Sequence, residues 1–249
     1  MHHWGLYGDV TLYRLLDQVG LPGRQHFLKN WWGFEPLRQL SSIRLVRIPA
    51  EQVKFTDRFP FEDKGQGAVV GTGGGNWDRS RVPLDTHRTY RTLHAHFVEG
   101  QPWEDTPAYQ LAEREISRGK REWQCRTHED LSARCDQLER LWDAIDKGGY
   151  RSQTELWREN QGGVPPQEYM TRLRNLHVPD ELRVAIGRNG EVIRTTSAKH
   201  RLVMAQLKDG TYRIPAIIQL IHAEYDGDLL DKAVIAGTEH PLVEEVRDE

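Results

Sequence analysis

The sequence predicts an α/β or α+β fold, because the spacing of its apolar residues changes from helical to strand-like in the last third of the chain. An amphipathic stretch over 128–147 predicts a long helix. Asn189-Gly190 lies between two short apolar runs and predicts the turn of a β-hairpin. A helix over 198–207 and a strongly apolar strand over 214–221 follow, so helix, hairpin, helix and strand succeed one another.

Each of these elements has its own local signal. Gly148-Gly149 ends the long helix, since glycine readily adopts the left-handed conformation that follows a helix. The hairpin strands are predicted over 182–186 and from 192 onward, where apolar and β-branched residues predominate. A short helix is expected over 167–176, after a Gly- and Pro-rich linker. The strand over 214–221 is apolar on both faces, which predicts burial on both.

The first half of the chain is predicted as a largely helical, aromatic-rich region. Leucine and valine spacing over 12–19 predicts a helix, and 43–48 predicts a strand that Pro49 ends. Residues 57–76 hold many glycines and are predicted to form one long loop. Helices are predicted to begin after Asp85-Thr86 and at Thr106-Pro107, where Pro suits the first helical position.

Composition excludes several classes of protein. With 37% hydrophobic residues and eight Trp, the 249-residue chain has the material for an ordered core. No apolar run approaches the ~20 residues of a membrane span, and no secretory signal is apparent, so we expect a soluble cytoplasmic protein without a membrane partner. A net charge of −3 does not support nucleic-acid binding by the whole chain. Cys125 and Cys135 are the only cysteines, and we expect two ordinary thiols.

Three segments are predicted along the chain. Residues 1–127 form an N-terminal extension that packs on the core, residues 128–225 form the core domain, and residues 226–249 form an acidic C-terminal tail. The sequence leaves open whether the protein forms a homo-oligomer.

Within the core, the segment after the hairpin carries a recognisable motif. Lys199-His200-Arg201-Leu202 opens a helix, preceded in the chain by Gly148-Gly149-Tyr150 and followed by the strand over 214–218. Together these segments resemble the ParB/sulfiredoxin-like superfamily over roughly residues 131–225. The N-terminal part, at residues 74–78 and 96–106, is in addition similar to a group of uncharacterised ParB-like proteins of archaea and viruses. The resemblance implies a ParB/sulfiredoxin-like core whose motif loop holds nucleotide phosphates.

That phosphate site is expected where the loop enters the helix. Unpaired backbone N–H groups and the positive end of the helix dipole favour an anion there. The residues that the resemblance assigns to phosphate or nucleotide binding are Ser197, Lys199, His200, Arg201, Arg151 and Gln153. Ser197-Ala198 stands where relatives usually have Asp-Gly, so a metal-binding carboxylate is missing and the backbone is less free to adopt positive φ.

Other residues offer weaker candidates. Asn76 and Asp78, which follow a glycine run, are candidate ligand contacts, although we favour the interpretation that Trp77 packs into the domain. His87 and His94 share a helix face, but their spacing does not suit a metal, and we predict no metal site.

Two functional hypotheses follow. The first is a nucleotide-binding protein that takes ATP, ADP or CTP with Mg²⁺, as the resemblance implies. Relatives include CTP-dependent DNA clamps, small-molecule kinases, sulfinic acid reductases and proposed nucleases, so phosphotransfer and a nucleic-acid-related role both stay open. The second is a non-catalytic structural or interaction protein, of viral type, that uses the fold as a scaffold. Whether the chain is an enzyme is left open.

Overall fold

The computed structural model describes residues 35–36, 44–56, 71–73, 76–160, 162–163, 165 and 181–225. The helices predicted over 12–19 and 167–176 and the tail over 226–249 lie outside the described residues.

A mixed eight-stranded sheet forms the centre of the described structure. Its strands are β1 (Glu35–Pro36), β2 (Arg44–Pro49), β3 (Phe55–Thr56), β4 (Gly71–Gly73), β5 (Val82–Pro83), β6 (Leu182–Ile186), β7 (Val192–Thr196) and β8 (Arg213–His222). The longest strand, β8, pairs in parallel with β6 along one side. On its other side it pairs with β2, antiparallel, over 213–218 and with β4, parallel, over 220–222. The remaining order is β6-β7-β3-β5.

The β6–β7 hairpin has its first strand and its turn where the sequence predicts them, and its second strand begins at the predicted residue 192. Strand β6 covers 182–186, and all five of its residues are buried. At the turn, the backbone N–H of Gly187 donates to the carbonyl of Glu191 at 2.9 Å. Gly190 has φ of 82°, which a residue without Cβ adopts at little cost. The prediction of a hairpin centred on Asn189-Gly190 is therefore confirmed.

Five α-helices are described, and their ends follow ordinary capping chemistry. They are α1 (Arg88–Phe97), α2 (Pro107–Ile116), α3 (His128–Gly148), α4 (Gln153–Arg158) and α5 (Lys199–Asp209). Thr127 and Asp130 form a complete capping box at the start of α3, and Gly149 ends it with φ of 72°. Helix α2 begins with Pro107 after Thr106, as predicted.

The core lies between one face of the sheet and helices α1, α3 and α5. Alternate residues of β2, β6 and β8 belong to the same buried apolar cluster, so they share a face of the sheet. Leu93 of α1, Leu138 of α3 and Leu202 of α5 join that cluster, and each is almost fully buried. Helix α5 packs against both α1 and α3. Its first turn is thereby held at the junction of three helices.

Part of the glycine run forms a strand. Residues 57–76 are predicted as a single loop, and this is wrong for Gly71–Gly73, which form β4 between β1 and β8. Sheet hydrogen bonds join backbone groups and need no side chain, so strand β4 forms from residues whose side-chain pattern predicts no strand. The sheet thus contains strands from both sides of residue 127.

Across the described ranges, no helix combines the length and the apolar character that crossing a membrane requires.

Candidate functional site

The loop that enters α5 has an unusual backbone. Ser197 and Ala198 have φ of 59° and 46°, the left-handed region that costs an L-residue about 1–2 kcal/mol. Ala198 is the N-cap of α5 and has no side-chain acceptor for the helix N–H groups. A left-handed backbone at this position favours glycine, which has no Cβ. The loop therefore holds a strained shape at the start of α5.

A second strained turn faces this loop. Glu122 and Cys125 exchange backbone hydrogen bonds of 3.1 and 2.8 Å around Trp123 and Gln124. Both central residues have positive φ, 50° and 69°, as in the type I′ turns that favour Asn-Gly. The turn directs the indole Nε1 of Trp123 to Nε2 of His200, at 3.2 Å. Strain of this kind clusters at functional sites, so the junction of the two turns is a candidate site.

His200 lies between two groups that can only donate hydrogen bonds. Trp123 donates to its Nε2, and Nη2 of Arg134 lies 3.4 Å from its Nδ1. Burial lowers the pKa of His200 to about 3, and the charges on Arg134, Lys199 and neighbouring groups act in the same direction. A neutral imidazole has one lone pair and one N–H. Because Nε2 accepts from Trp123, the N–H is on Nδ1 and faces the guanidinium of Arg134.

Lys199 makes a similar contact with His87. The backbone N–H of Thr89 donates to Nδ1 of His87 at 3.0 Å, so the neutral ring carries its proton on Nε2. Nζ of Lys199 lies 3.1 Å from that Nε2. An ammonium group has no lone pair, so this contact also joins two donors.

These residues form a cluster of donors that we call the cationic cluster. It consists of His200 and of four residues that each act electrostatically on it, His87, Arg134, Arg194 and Lys199. Arg194 is buried and supports the loop, since its Nε donates to the carbonyl of Ser197 at 3.1 Å. Side chains from α3, from β7, from α5 and from the N-cap residue of α1 thus converge at the first turn of α5.

Arg134 connects the cationic cluster to an open cavity. Its Nε is buried without a hydrogen-bond partner, and Nη1 makes only a long contact, 3.5 Å, with Gln137. The adjoining cavity has a volume of about 470 Å³ and lies between α3 and the segment over 121–126. Two further arginines, Arg121 and Arg126, line it.

Arg201 points away from the cationic cluster. Its guanidinium lies 5.1 Å from the ring centroid of Tyr150, and Nη1 donates to the carbonyl of Arg151 at 3.4 Å. Both arginines line a second cavity of about 440 Å³ on the other side of α5. The side chain of Arg151 forms an ion pair with Glu159.

Glu181 is buried close to Arg201. Burial raises the pKa of Glu181 to about 7, against the opposing effects of the Arg201 charge and the hydrogen bond from the backbone of Gln153. That hydrogen bond measures 2.9 Å and joins the start of α4 to the start of β6. Gln153 thus acts here through its backbone.

Asn76 and Asp78 lie beside Arg188, which follows β6, at the end of that strand opposite the first turn of α5. The carboxylate of Asp78 is buried and accepts from the backbone N–H, Nε and Nη2 of Arg188 at 3.1, 2.9 and 3.0 Å. Burial acts to raise the pKa of Asp78, but these hydrogen bonds outweigh it and lower the pKa. Asn76 accepts from Nη2 of Arg188 at 3.2 Å. Arg188 follows β6, whereas the first turn of α5 is near the other end of that strand.

The structure therefore divides the sequence-predicted site residues into groups. Ser197, Lys199 and His200 lie together, Arg151 and Arg201 lie together across α5, and Asn76 and Asp78 are remote from both. Trp123 and Arg134 were not predicted, since neither has a local sequence signal that distinguishes it from an ordinary surface or core residue.

The histidines of α1 have separate partners. His94 contacts Glu99, and His96 contacts Glu139 at 2.6 Å while stacking on Trp103. Within the ranges that the structure covers, no group of three or more His, Cys, Asp or Glu side chains is placed to hold a metal ion.

Comparison with models of protein families, with curated proteins and with solved structures gave no match.

Proposed function

We propose that this protein binds a phosphate group of a nucleotide at the first turn of α5, as a member of the ParB/sulfiredoxin-like class. The observation that carries the proposal is the donor-to-donor contact of Arg134 with His200, beside the buried Nε of Arg134, which has no hydrogen-bond partner among the described residues. Such a contact is unfavourable by itself, and an acceptor placed between the donors relieves it.

A phosphate group suits this place better than a neutral ligand. Its oxygens can accept from the ammonium of Lys199, from Nδ1–H of His200 and from the guanidinium of Arg134. The positive end of the α5 dipole adds to the attraction. ATP, ADP and CTP are the nucleotides proposed, and Mg²⁺ would arrive with their phosphates. The proposal concerns binding, and phosphotransfer or a nucleic-acid-related role would build on it.

A scaffold role is the second candidate, and Arg201 favours it. The third basic residue of the motif contacts Tyr150 and Arg151 and influences buried Glu181. These contacts join α5 to the segments before α4 and β6, which is a structural role. If the entire motif has such a role, the protein is an interaction or structural module.

A thermal-shift screen tests the two candidates. The full chain is heated with ATP, ADP, CTP and GTP, each with and without Mg²⁺. A ligand at about 100 times its Kd adds roughly 2.7 kcal/mol, which raises Tm by about 5–10 °C in a chain of this size. His200→Gln keeps an acceptor for Trp123 but loses the donor at Nδ1. Lys199→Gln removes a charge, and Lys120→Gln removes one from an exposed position as the control.

If a nucleotide binds at α5, it should raise the Tm of the wild type. His200→Gln and Lys199→Gln should reduce that rise in Tm, and Lys120→Gln should preserve it. A folded protein that shifts with no nucleotide contradicts the proposal. The scaffold candidate predicts that result together with a lower Tm for Arg201→Ala in the absence of any ligand.

A further inference from the structure

The cavity beside Arg134 is a candidate site for the part of the ligand that lies beyond its first phosphate. It has about 470 Å³, within the ~300–1,000 Å³ range of ligand pockets. Its lining contains Arg121, Arg126 and Arg134, from the segment before α3 and from α3 itself. Arg121 and Arg134 both act electrostatically on Cys125, which also lines the cavity, so their charges are close to it.

One carboxylate lines the cavity, and it is already engaged. Oδ2 of Asp130 accepts from the backbone N–H groups of Arg126 and Thr127 at 2.8 and 3.2 Å, as part of the α3 capping box. This oxygen is thus directed at the backbone of the helix start. Among the described residues, none of the three arginines of the cavity has an ion pair with a carboxylate. The cavity consequently has an excess of positive charge.

Arg134 belongs to both the cavity and the cationic cluster. Its Nη2 is directed to His200, and its buried Nε has no hydrogen-bond partner. A guanidinium presents donors along two edges and can bridge neighbouring phosphates. A ligand phosphate held at His200 would therefore have its next phosphate at the cavity side of Arg134.

We propose that the cavity is a second phosphate subsite, so that the ligand carries a diphosphate or longer phosphate chain, with Arg121 and Arg126 contacting the phosphates beyond the first. This inference rests on the proposed binding of the first phosphate at α5. It assigns the chain to polyphosphate ligands in preference to monophosphates, and it gives Arg134 the role of bridging the two subsites.

Calorimetric titration of the full chain with inorganic phosphate, pyrophosphate and tripolyphosphate tests this inference. Pyrophosphate is expected to bind at least about tenfold more tightly than phosphate, because charge-assisted hydrogen bonds are added. The exposed double variant Arg121→Gln/Arg126→Gln removes that gain and leaves phosphate affinity unchanged. Arg134→Gln weakens both ligands. Arg140→Gln, which neutralises an exposed arginine of the other cavity, alters neither.

Two kinds of result would contradict the second subsite, and they can be distinguished from each other. If phosphate binds but pyrophosphate gains nothing, or if Arg140→Gln rather than the double variant removes the gain, the second subsite is refuted while binding at α5 stands. If neither anion binds to folded protein, the first phosphate site and the second fail together. Circular dichroism of each variant establishes that the fold is intact.

Discussion

Asp78→Asn is expected to destabilise the fold strongly, since Asp78 joins the segment before β5 to the β6–β7 turn. The side chain of Asp78 is 1% exposed and that of Arg188 is 16% exposed, so solvent screens their ion pair weakly. The side chain of asparagine has nearly the same size as that of aspartate, but it carries no charge. Its NH2 group replaces one acceptor oxygen, so a donor then faces the N–H groups of Arg188. Arg188 keeps a contact with Glu224, 3.2 Å away, whose side chain is 65% exposed.

The magnitude follows from these contacts. Removing one partner of a buried ion pair costs about 3–5 kcal/mol. Arg188 keeps contacts with Glu224, Asn76 and His222, which place the expected loss near the lower limit, about 3 kcal/mol. In a chain of this length that corresponds to a fall in Tm of about 6–12 °C.

Urea denaturation followed by circular dichroism measures the change. The midpoint should fall with little change in the slope. Asp105→Asn, at an exposed position, should leave the free energy of unfolding within about 0.5 kcal/mol of the wild type. A loss below about 1 kcal/mol for Asp78→Asn would refute the view that this ion pair anchors the turn.

The dependence on pH gives an independent check of the Asp78 prediction. Burial raises the pKa of Asp78, but the hydrogen bonds from Arg188 outweigh this effect and hold the pKa below its ordinary value in the folded protein. The ion pair therefore contributes stability above the unfolded-state pKa. That contribution is lost as the pH falls through the folded-state pKa. The difference in unfolding free energy between wild type and Asp78→Asn should thus be constant near neutral pH and shrink below about pH 4.

Further variants test other features. The wild type should lose up to about 3 kcal/mol of stability as the pH rises from 4.5 to 7, because the raised pKa of Glu181 disfavours its ionised form in the folded protein. Glu181→Gln should remove this loss, which unfolding measured across that pH interval checks. Gln124→Gly should stabilise by about 0.5–1 kcal/mol in urea, since relief of the left-handed backbone exceeds glycine's entropic cost. Ala198→Gly should change stability little in the same assay, because relief of the left-handed backbone is offset by the loss of a buried methyl group, whose burial contributes about 0.8 kcal/mol. A destabilising Gln124→Gly would contradict the strain argument.

Elements with complete local signals could be predicted from the sequence. The hairpin follows from alternating apolar residues around Asn189-Gly190, and α3 follows from its amphipathic spacing and its glycine end. Local chemistry determines both, so no knowledge of distant contacts is needed. Strand β4 could not be predicted in this way, because Gly71–Gly73 form a strand only through pairing with β1 and β8.

The candidate site was predictable only in part. The motif indicates Lys199 and His200 through its position at a helix start. Successive residues on a helix are about 100° apart, so the side chain of Arg201 lies on a different face and contacts Tyr150. Trp123 and Arg134 reach His200 from elements distant in the chain, and their roles depend on how those elements pack.

The position of β8 has a consequence for how the chain folds during synthesis. This strand pairs with β2, β4 and β6, yet it is the last of the described strands to leave the ribosome. Until residues 213–222 emerge, β2 lacks the neighbour to which it hydrogen-bonds, and its apolar residues stay without their final packing. Pairing between segments so distant in sequence is slow to form. Nascent chains are therefore most exposed to aggregation and to chaperone capture shortly before β8 is completed.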